Sequence, residues 1–262
     1  MKSVFTEMSM EDIKKSAPSI FQTKQKANLS EHYVHIPTDK VISDMISLGW
    51  KPCQAVEVKA RKKNTMGYQR HMIKFFNPDI TIEGGNGDNV FPQILLTNSH
   101  DGLSSFKFQI GLFRLVCSNG LVVMDTSYGD FKLRHMGYTF SELQTKINEA
   151  VEAFPGLVKK INDFQNVELD SKQIKEFAKK AAKIRFGDNI KVDVNDLLAV
   201  ERPEDAGDSL WTVFNRVQEK LVTGNFSYKM GAKLRKARAV KNFSQDLKLN
   251  EQLWELAEEY VN

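Results

Sequence analysis

Residues 49–76 read GWKPCQAVEVKARKKNTMGYQRHMIKFF, and the way this stretch is parsed decides the fold. Just before it, Val41, Ile42, Met45, Ile46 and Leu48 recur at helical spacing behind Thr38, a residue able to cap a helix. Gly49 stands where a left-handed C-terminal residue belongs. After Trp50 the apolar period changes from 3.6 to 2, with Cys53, Ala55, Val58 and Ala60 in one segment and Met72, Ile73, Phe75 and Phe76 in the next. Between them Arg61-Lys62-Lys63-Asn64-Thr65-Met66-Gly67-Tyr68 is a basic turn containing glycine. A β-hairpin with a cationic tip is expected.

Outward from this hairpin, Gly84–Asn89 reads as a loop and Phe91–Thr97 as a strand. A second hairpin is expected from Ser105 to Val116, turning at Ser118-Asn119-Gly120 and returning through Leu121–Met124, since Asn-Gly between β-prone residues is a strong hairpin signal. Upstream, Tyr33–Ile36 suggests a strand, and residues 1–30 a short helix or a loosely attached arm. From Ser141 the helical period returns. One helix is expected to stop near Pro155-Gly156, with further helices over 157–164, from Asp170, from Asp208 and after Asn250. The class is therefore α+β: an antiparallel sheet with a helix in the N-terminal half, and a helical C-terminal half. The expected division is an arm over 1–30, a mainly antiparallel β region with one helix over 31–140, and a helical region packed on it over 141–262.

The 262 residues are 41% hydrophobic and 10% aromatic, enough to bury a full core. The 37 Lys+Arg against 33 Asp+Glu leave +4, which excludes an acidic disordered chain. Two cysteines, Cys53 and Cys117, are too few for a disulfide-stapled scaffold. The opening MKSVFTEMSMEDIKK has no apolar leader, and no apolar run approaches the roughly 20 residues that span a bilayer. The expectation is a protein of the bacterial cytoplasm with no membrane partner.

The charge is unevenly placed. Lys51, Lys59, Arg61, Lys62, Lys63, Arg70 and Lys74 crowd the first hairpin against one acid, Glu57. Lys229, Lys233, Arg235, Lys236, Arg238, Lys241 and Lys248 crowd a second segment against Asp246, flanked by Phe226, Tyr228 and Phe243. Cations interleaved with aromatics suit single-stranded nucleic acid, whose phosphates need neutralising and whose bases need rings to stack on. Ordinary solvated surface accounts for either cluster alone.

No metal or cofactor is expected. His32 and His35 form H-x-x-H without a further ligand nearby, and His71, His100 and His135 lack ligand spacing. Gly84-Gly85-Asn86-Gly87 lacks the Lys-Ser/Thr of a phosphate loop, and Cys117 reads as a small apolar strand residue. The polar turns that could form a ligand site or a structural clamp contribute Asn98, His100, Asp101, Arg114 and Asn119. His100 beside Asp101 fits an acid–base pair and equally an Asx turn. Arg114, inside the apolar run Leu112–Val116, needs a carboxylate, carbonyls or a phosphate, with Asp101 and Asp125 as candidate partners.

Thr97-Asn98-Ser99-His100-Asp101-Gly102, with Phe113–Leu121, Leu210-Trp211-x-x-Phe214-Asn215 and Leu249-Asn250-Glu251-x-Leu253-Trp254, resembles the phage/plasmid-like protein family, domain of unknown function 932. That resemblance covers roughly 30 to 260 and implies a mobile-element setting without an agreed activity. The order helix 38–48, Gly49-Trp50, basic hairpin also resembles the opening of single-strand annealing proteins of the Red-beta and Rad-type superfamily. This second resemblance implies a cationic groove that holds single-stranded DNA on an oligomer.

The expected function is a non-enzymatic single-stranded DNA-binding, or strand-annealing, protein of a phage or plasmid, acting in replication or recombination. Lys59, Arg61, Lys62, Lys63, Arg70, Lys233, Arg235, Lys236 and Arg238 would meet phosphates, and Tyr68 and Tyr228 would stack on bases. The alternative is a non-enzymatic inhibitor or adaptor that binds a host or phage replication or defence protein, with Trp211 or Trp254 as anchor; each also sits on an apolar helical stripe, where core packing is the competing reading. A third class, an enzyme using His100, Asp101 and Arg114 on a phosphate-containing substrate, lacks a second acid–base group.

Overall fold

A computed structural model describes residues 5–29, 31, 33–60, 62–80, 82–83, 89–114, 131–133, 139–188 and 190–261. Contacts divide the chain into two units: 1–81, 91–111 and 126–154 in the first, and 82–90, 112–125 and 155–262 in the second.

The first unit opens on α1 (Met10–Ser16), started by a reciprocal cap in which the Ser9 hydroxyl accepts the Asp12 N–H and the Asp12 carboxylate accepts the Ser9 N–H. Ile13, and Ile20 in the 3-10 turn Pro18–Phe21, are fully buried, and the Met8 N–H donates to the Pro52 carbonyl at 2.8 Å. Of the two expectations for residues 1–30, the short helix is the one observed, and its spaced apolar residues reach the core. The expected strand at Tyr33–Ile36 does not form. Side chains hold this stretch instead: the Tyr33 hydroxyl donates to the Ser99 carbonyl at 3.0 Å, and Asn98 Nδ2 donates to the Ile36 carbonyl at 3.2 Å. Helix α2 (Thr38–Ser47) buries Val41, Ile42 and Met45 and ends at Gly49 with φ 86°.

β1 (Lys51–Glu57) and β2 (His71–Phe76) are the expected antiparallel hairpin, joined through a 3-10 turn at Lys63–Thr65. With β3 (Ile82–Glu83), β4 (Asn89–Asn98), β5 (Phe106–Arg114) and β6 (Phe131–Leu133) they make a sheet of order β1-β2-β4-β5-β6, with β3 on β4. Every β2 side chain is buried, so both faces of that central strand are covered. The expected turn at 118–120, its return strand Leu121–Met124, Cys117 and the Gly84–Asp88 loop lie outside the described residues.

Helix α3 (Phe140–Asn166) runs through Pro155 without the expected stop. Proline removes one backbone donor, and the helix continues because Leu157, Ile161 and Phe164 carry the apolar stripe into a core. That core is in the second unit, with α4 (Ser171–Phe186), β7 (Ile190–Val192), α5 (Val194–Leu197), α6 (Leu210–Thr223), β8 (Ser227–Met230), β9 (Lys233–Lys236) and α7 (Phe243–Glu258). Phe164 and Phe214 flank Trp254 at ring separations of 4.6 and 5.8 Å. Helix α7 starts at an Asn242 cap, eight residues ahead of the expected start after Asn250. Asn250 is interior, and its Oδ1 accepts from Gln218 Nε2 at 2.6 Å. The antiparallel sheet β7-β8-β9 is an addition to a half that is otherwise mostly helical, as expected.

Among the described residues no helix is long and apolar enough to cross a membrane.

Candidate nucleic-acid interface

The second cationic segment acquires its shape from a glycine and an arginine. Gly224 ends α6 at φ +85°, and a Cβ placed there would meet the Ala237 carbonyl oxygen at 2.7 Å. Only glycine lets residues 237–239 run this close to the helix end. The Asn225 N–H then donates to Ala237 O, Ala237 N–H to Phe226 O, and Val240 N–H to Val222 O. Arg185, at the end of α4, completes the hold by donating from Nη1 to the Leu221 carbonyl and from Nη2 to the Arg238 carbonyl. Its guanidinium also lies over the Phe186 ring at 4.7 Å. Burial draws the Arg185 pKa below its ordinary value, against a smaller opposing pull from Tyr228.

The result is a groove of 1160 Å³ lined by Tyr228, Arg235 and Lys236 of the hairpin, by Arg238 and Lys241 of the tethered segment, and by Lys248 of α7. With Arg185 these are six cations, and no Asp, Glu or His stands among the described lining residues. Five cations elsewhere in this unit are paired: Lys160 with Glu258, Lys180 with Glu176 and Glu259, Lys183 with Asp188, Arg202 with Asp205 and Glu219, and Lys220 with Glu201. Arg235, Lys236, Arg238, Lys241 and Lys248 are exposed and form no ion pair among the described residues. Tyr228 stacks on Phe186 at 5.1 Å and 28°, both rings half-buried, giving the groove an aromatic wall.

Of the residues chosen from sequence, Tyr228, Arg235, Lys236 and Arg238 come together here, and Lys233 is exposed two residues beyond Arg235, toward the hairpin tip. Arg185 and Phe186 were not legible, since they reach the groove from a helix some 40 residues earlier in the chain. The first cluster belongs to the other unit. Lys59, Lys62 and Lys63 are exposed on the β1–β2 connection, Tyr68 is half-buried, and Arg70 is half-buried with its pKa lowered by burial. Arg61 lies outside the described residues.

The remaining candidates lie in a buried polar cluster of the first unit. Asn98 Nδ2 donates to Thr38 Oγ1 at 3.0 Å as well as to Ile36 O, and Thr38 Oγ1 meets His71 Nε2 at 2.9 Å. His71 Nδ1 lies 3.1 Å from Ser19 Oγ. The His100 ring lies between those of His35 and His71, tilted against each, at 4.5 and 5.1 Å, and the His100 backbone N–H donates to the Tyr68 carbonyl. Asp101 Oδ1 accepts the Leu103 N–H at 3.0 Å, the Asx-turn geometry. Burial pushes the His71 pKa down to about 4, and Tyr33 up to about 12 with help from the Asp101 charge. Cys53 is likewise pushed up to about 12 by burial and is no nucleophile at neutral pH. Asn119, Asp125, His32, His135 and the Arg114 side chain lie outside the described residues. Among the described residues no group of three or more His, Cys, Asp or Glu is placed to hold a metal ion.

A family model described as Domain of unknown function (DUF932) matches residues 27–254, a span that includes both the groove and the histidine cluster. The chain belongs to this family. Two relatives from Escherichia coli (strain K12) agree: UPF0380 protein YafZ, 32% identical over 96% of this chain and 90% of its own length, and UPF0380 protein YfjQ, 31% identical over the same shares. No solved structure matches.

Proposed function

We propose that this member of the family is a single-stranded DNA-binding protein of a phage or plasmid that protects or anneals strands in replication or recombination. One observation carries the proposal: a groove lined by six cations and a Tyr228–Phe186 wall, with no carboxylate among its described lining residues. Such a lining favours a polyanion whose bases are free to stack. The groove offers charge and stacking, so the proposed role is holding a strand without chemistry. The adaptor alternative drew on Trp211 and Trp254 as anchors. They are 2% and 1% exposed, as core residues are, so that alternative has no observation of its own.

The test is fluorescence anisotropy of a labelled single-stranded oligonucleotide beside its duplex, from 50 to 200 mM salt. Salt-steep binding that prefers the single strand is the expected result. Flat anisotropy at 50 mM salt refutes the proposal.

A further inference from the structure

The β8–β9 hairpin is more than a wall of the groove. Its register pairs Tyr228 with Arg235, Lys229 with Leu234 and Met230 with Lys233, and Gly231-Ala232 closes it with Gly231 at φ +60°. Side chains alternate along a strand and directly paired residues share a face. Met230 and Lys233 therefore continue the groove face of Tyr228 and Arg235 outward to the tip. Lys229 and Leu234 stand on the opposite face. Both apolar side chains are solvent-exposed, Met230 at 49% and Leu234 at 67%. No acid occurs anywhere from Leu221 to Gln245.

The outer end of the β7-β8-β9 sheet, where Met230 also pairs with Ile190, is one layer thick and carries one exposed apolar side chain on each face among cations, which does not suit docking onto a flat patch that would use one face only. It suits a site that encloses the tip from both sides and is lined by negative charge. A base step flanked by its phosphates has those properties, and apolar side chains that enter such steps unstack them. Unstacking is cheapest at the end of a duplex, where one neighbour is already absent.

Resting on the single-strand reading of the groove, we infer that the β8–β9 hairpin is a wedge for the junction between duplex and single strand. Met230 and Leu234 enter the last base step, and the released strand runs back along Lys233, Arg235 and Tyr228 into the groove. The ligand class is thus a forked or tailed DNA, and the hairpin tip is the element that separates it from a plain single strand.

The experiment uses the full chain and three labelled DNAs: a fork, a single strand of equal length and a blunt duplex, with 2-aminopurine at the fork junction. The parent should bind the fork about tenfold more tightly than the single strand, the equivalent of ~1.4 kcal/mol, and should brighten the aminopurine. The double variant Met230→Ser with Leu234→Ser changes two exposed residues. It should keep its melting temperature and single-strand affinity to within about twofold while losing both the fork preference and the fluorescence rise. Leu234→Phe should restore both on the Met230→Ser background. Single-strand binding without fork preference in the parent, or an aminopurine rise that survives the double substitution, overturns the wedge and leaves the groove standing. Absence of single-strand binding at 50 mM salt overturns both. If phosphatidylserine vesicles bind the parent and the double variant releases them while forks are ignored, the tip is a membrane contact and the inference is wrong.

Discussion

Neutralising two groove cations, Arg235→Gln together with Arg238→Gln, should change the salt dependence of binding by an amount the geometry sets. Six cations line the groove, but both Arg185 Nη groups donate to the Leu221 and Arg238 carbonyls, so Arg185 is committed to the fold. Five remain for phosphates: Arg235, Lys236, Arg238, Lys241 and Lys248. Each phosphate neutralised on a single strand releases about 0.7 of a counterion, so five contacts give a log–log slope of about −3.5. A fourfold rise in salt, 50 to 200 mM, then weakens binding on the order of a hundredfold. The double variant should show a slope of about −2.1 and a loss of roughly twentyfold over the same range. Its fold should survive, because both substitutions shorten exposed side chains and leave the Arg238 carbonyl that Arg185 holds in place. Anisotropy titrations at four or five salt concentrations measure both slopes. A double variant with the parent's slope would show that the phosphates lie elsewhere, the exposed Lys59, Lys62 and Lys63 being the next place to look.

Three further outcomes follow from the packing. Gly224→Ala puts a Cβ 2.7 Å from the Ala237 oxygen and 2.8 Å from the Arg238 carbonyl carbon, so it should lose about 1–3 kcal/mol more in thermal melts than Gly187→Ala. Gly187 shares the positive φ but has nothing within 4 Å of such a Cβ, and equal losses would refute the close approach. His71, held neutral by burial with a pKa of about 4 against an ordinary 6.5, makes the unfolded chain the better proton binder between those values. Its contribution is complete above pH 6.5 and is lost as the pH falls toward 4, about 3 kcal/mol in all; urea midpoints should fall over that window and fall less for His71→Gln. Trp254→Ala should cost about 3–5 kcal/mol in chemical denaturation, because the ring fills the space between Phe164 and Phe214; a loss under 1 kcal/mol would place it outside the core.

What the sequence made legible is what local rules govern. The β1–β2 hairpin, the Gly49 end of α2, the Asp170 cap of α4 and the α+β class all follow from period and capping chemistry within a few residues. Where long-range contacts decide, local rules fail. Tyr33–Ile36 has strand composition, but the side chains of Asn98 and Tyr33 supply the hydrogen bonds a ladder would have given. Pro155 looks like a stop until the buried stripe beyond it is seen to need the helix. Asn250 looks like a cap, yet a buried bond from Gln218 makes it an interior residue.

The groove divides along the same line. Its cations were visible as a run in the sequence, and a run alone is indistinguishable from solvated surface. Three things convert it into a site: a glycine that admits the backbone of 237–239, an arginine from α4 that holds two carbonyls, and an acid-free lining. Each is a tertiary relation between distant segments. Five other basic side chains of this unit pair with carboxylates, whereas the exposed cations of the groove form no ion pair among the described residues. Concentrating like charges at one place costs stability through mutual repulsion. A fold that crowds five exposed cations along one groove, with no acid among its described lining residues, bears that cost at one position, and an anionic ligand at that position is what would offset it.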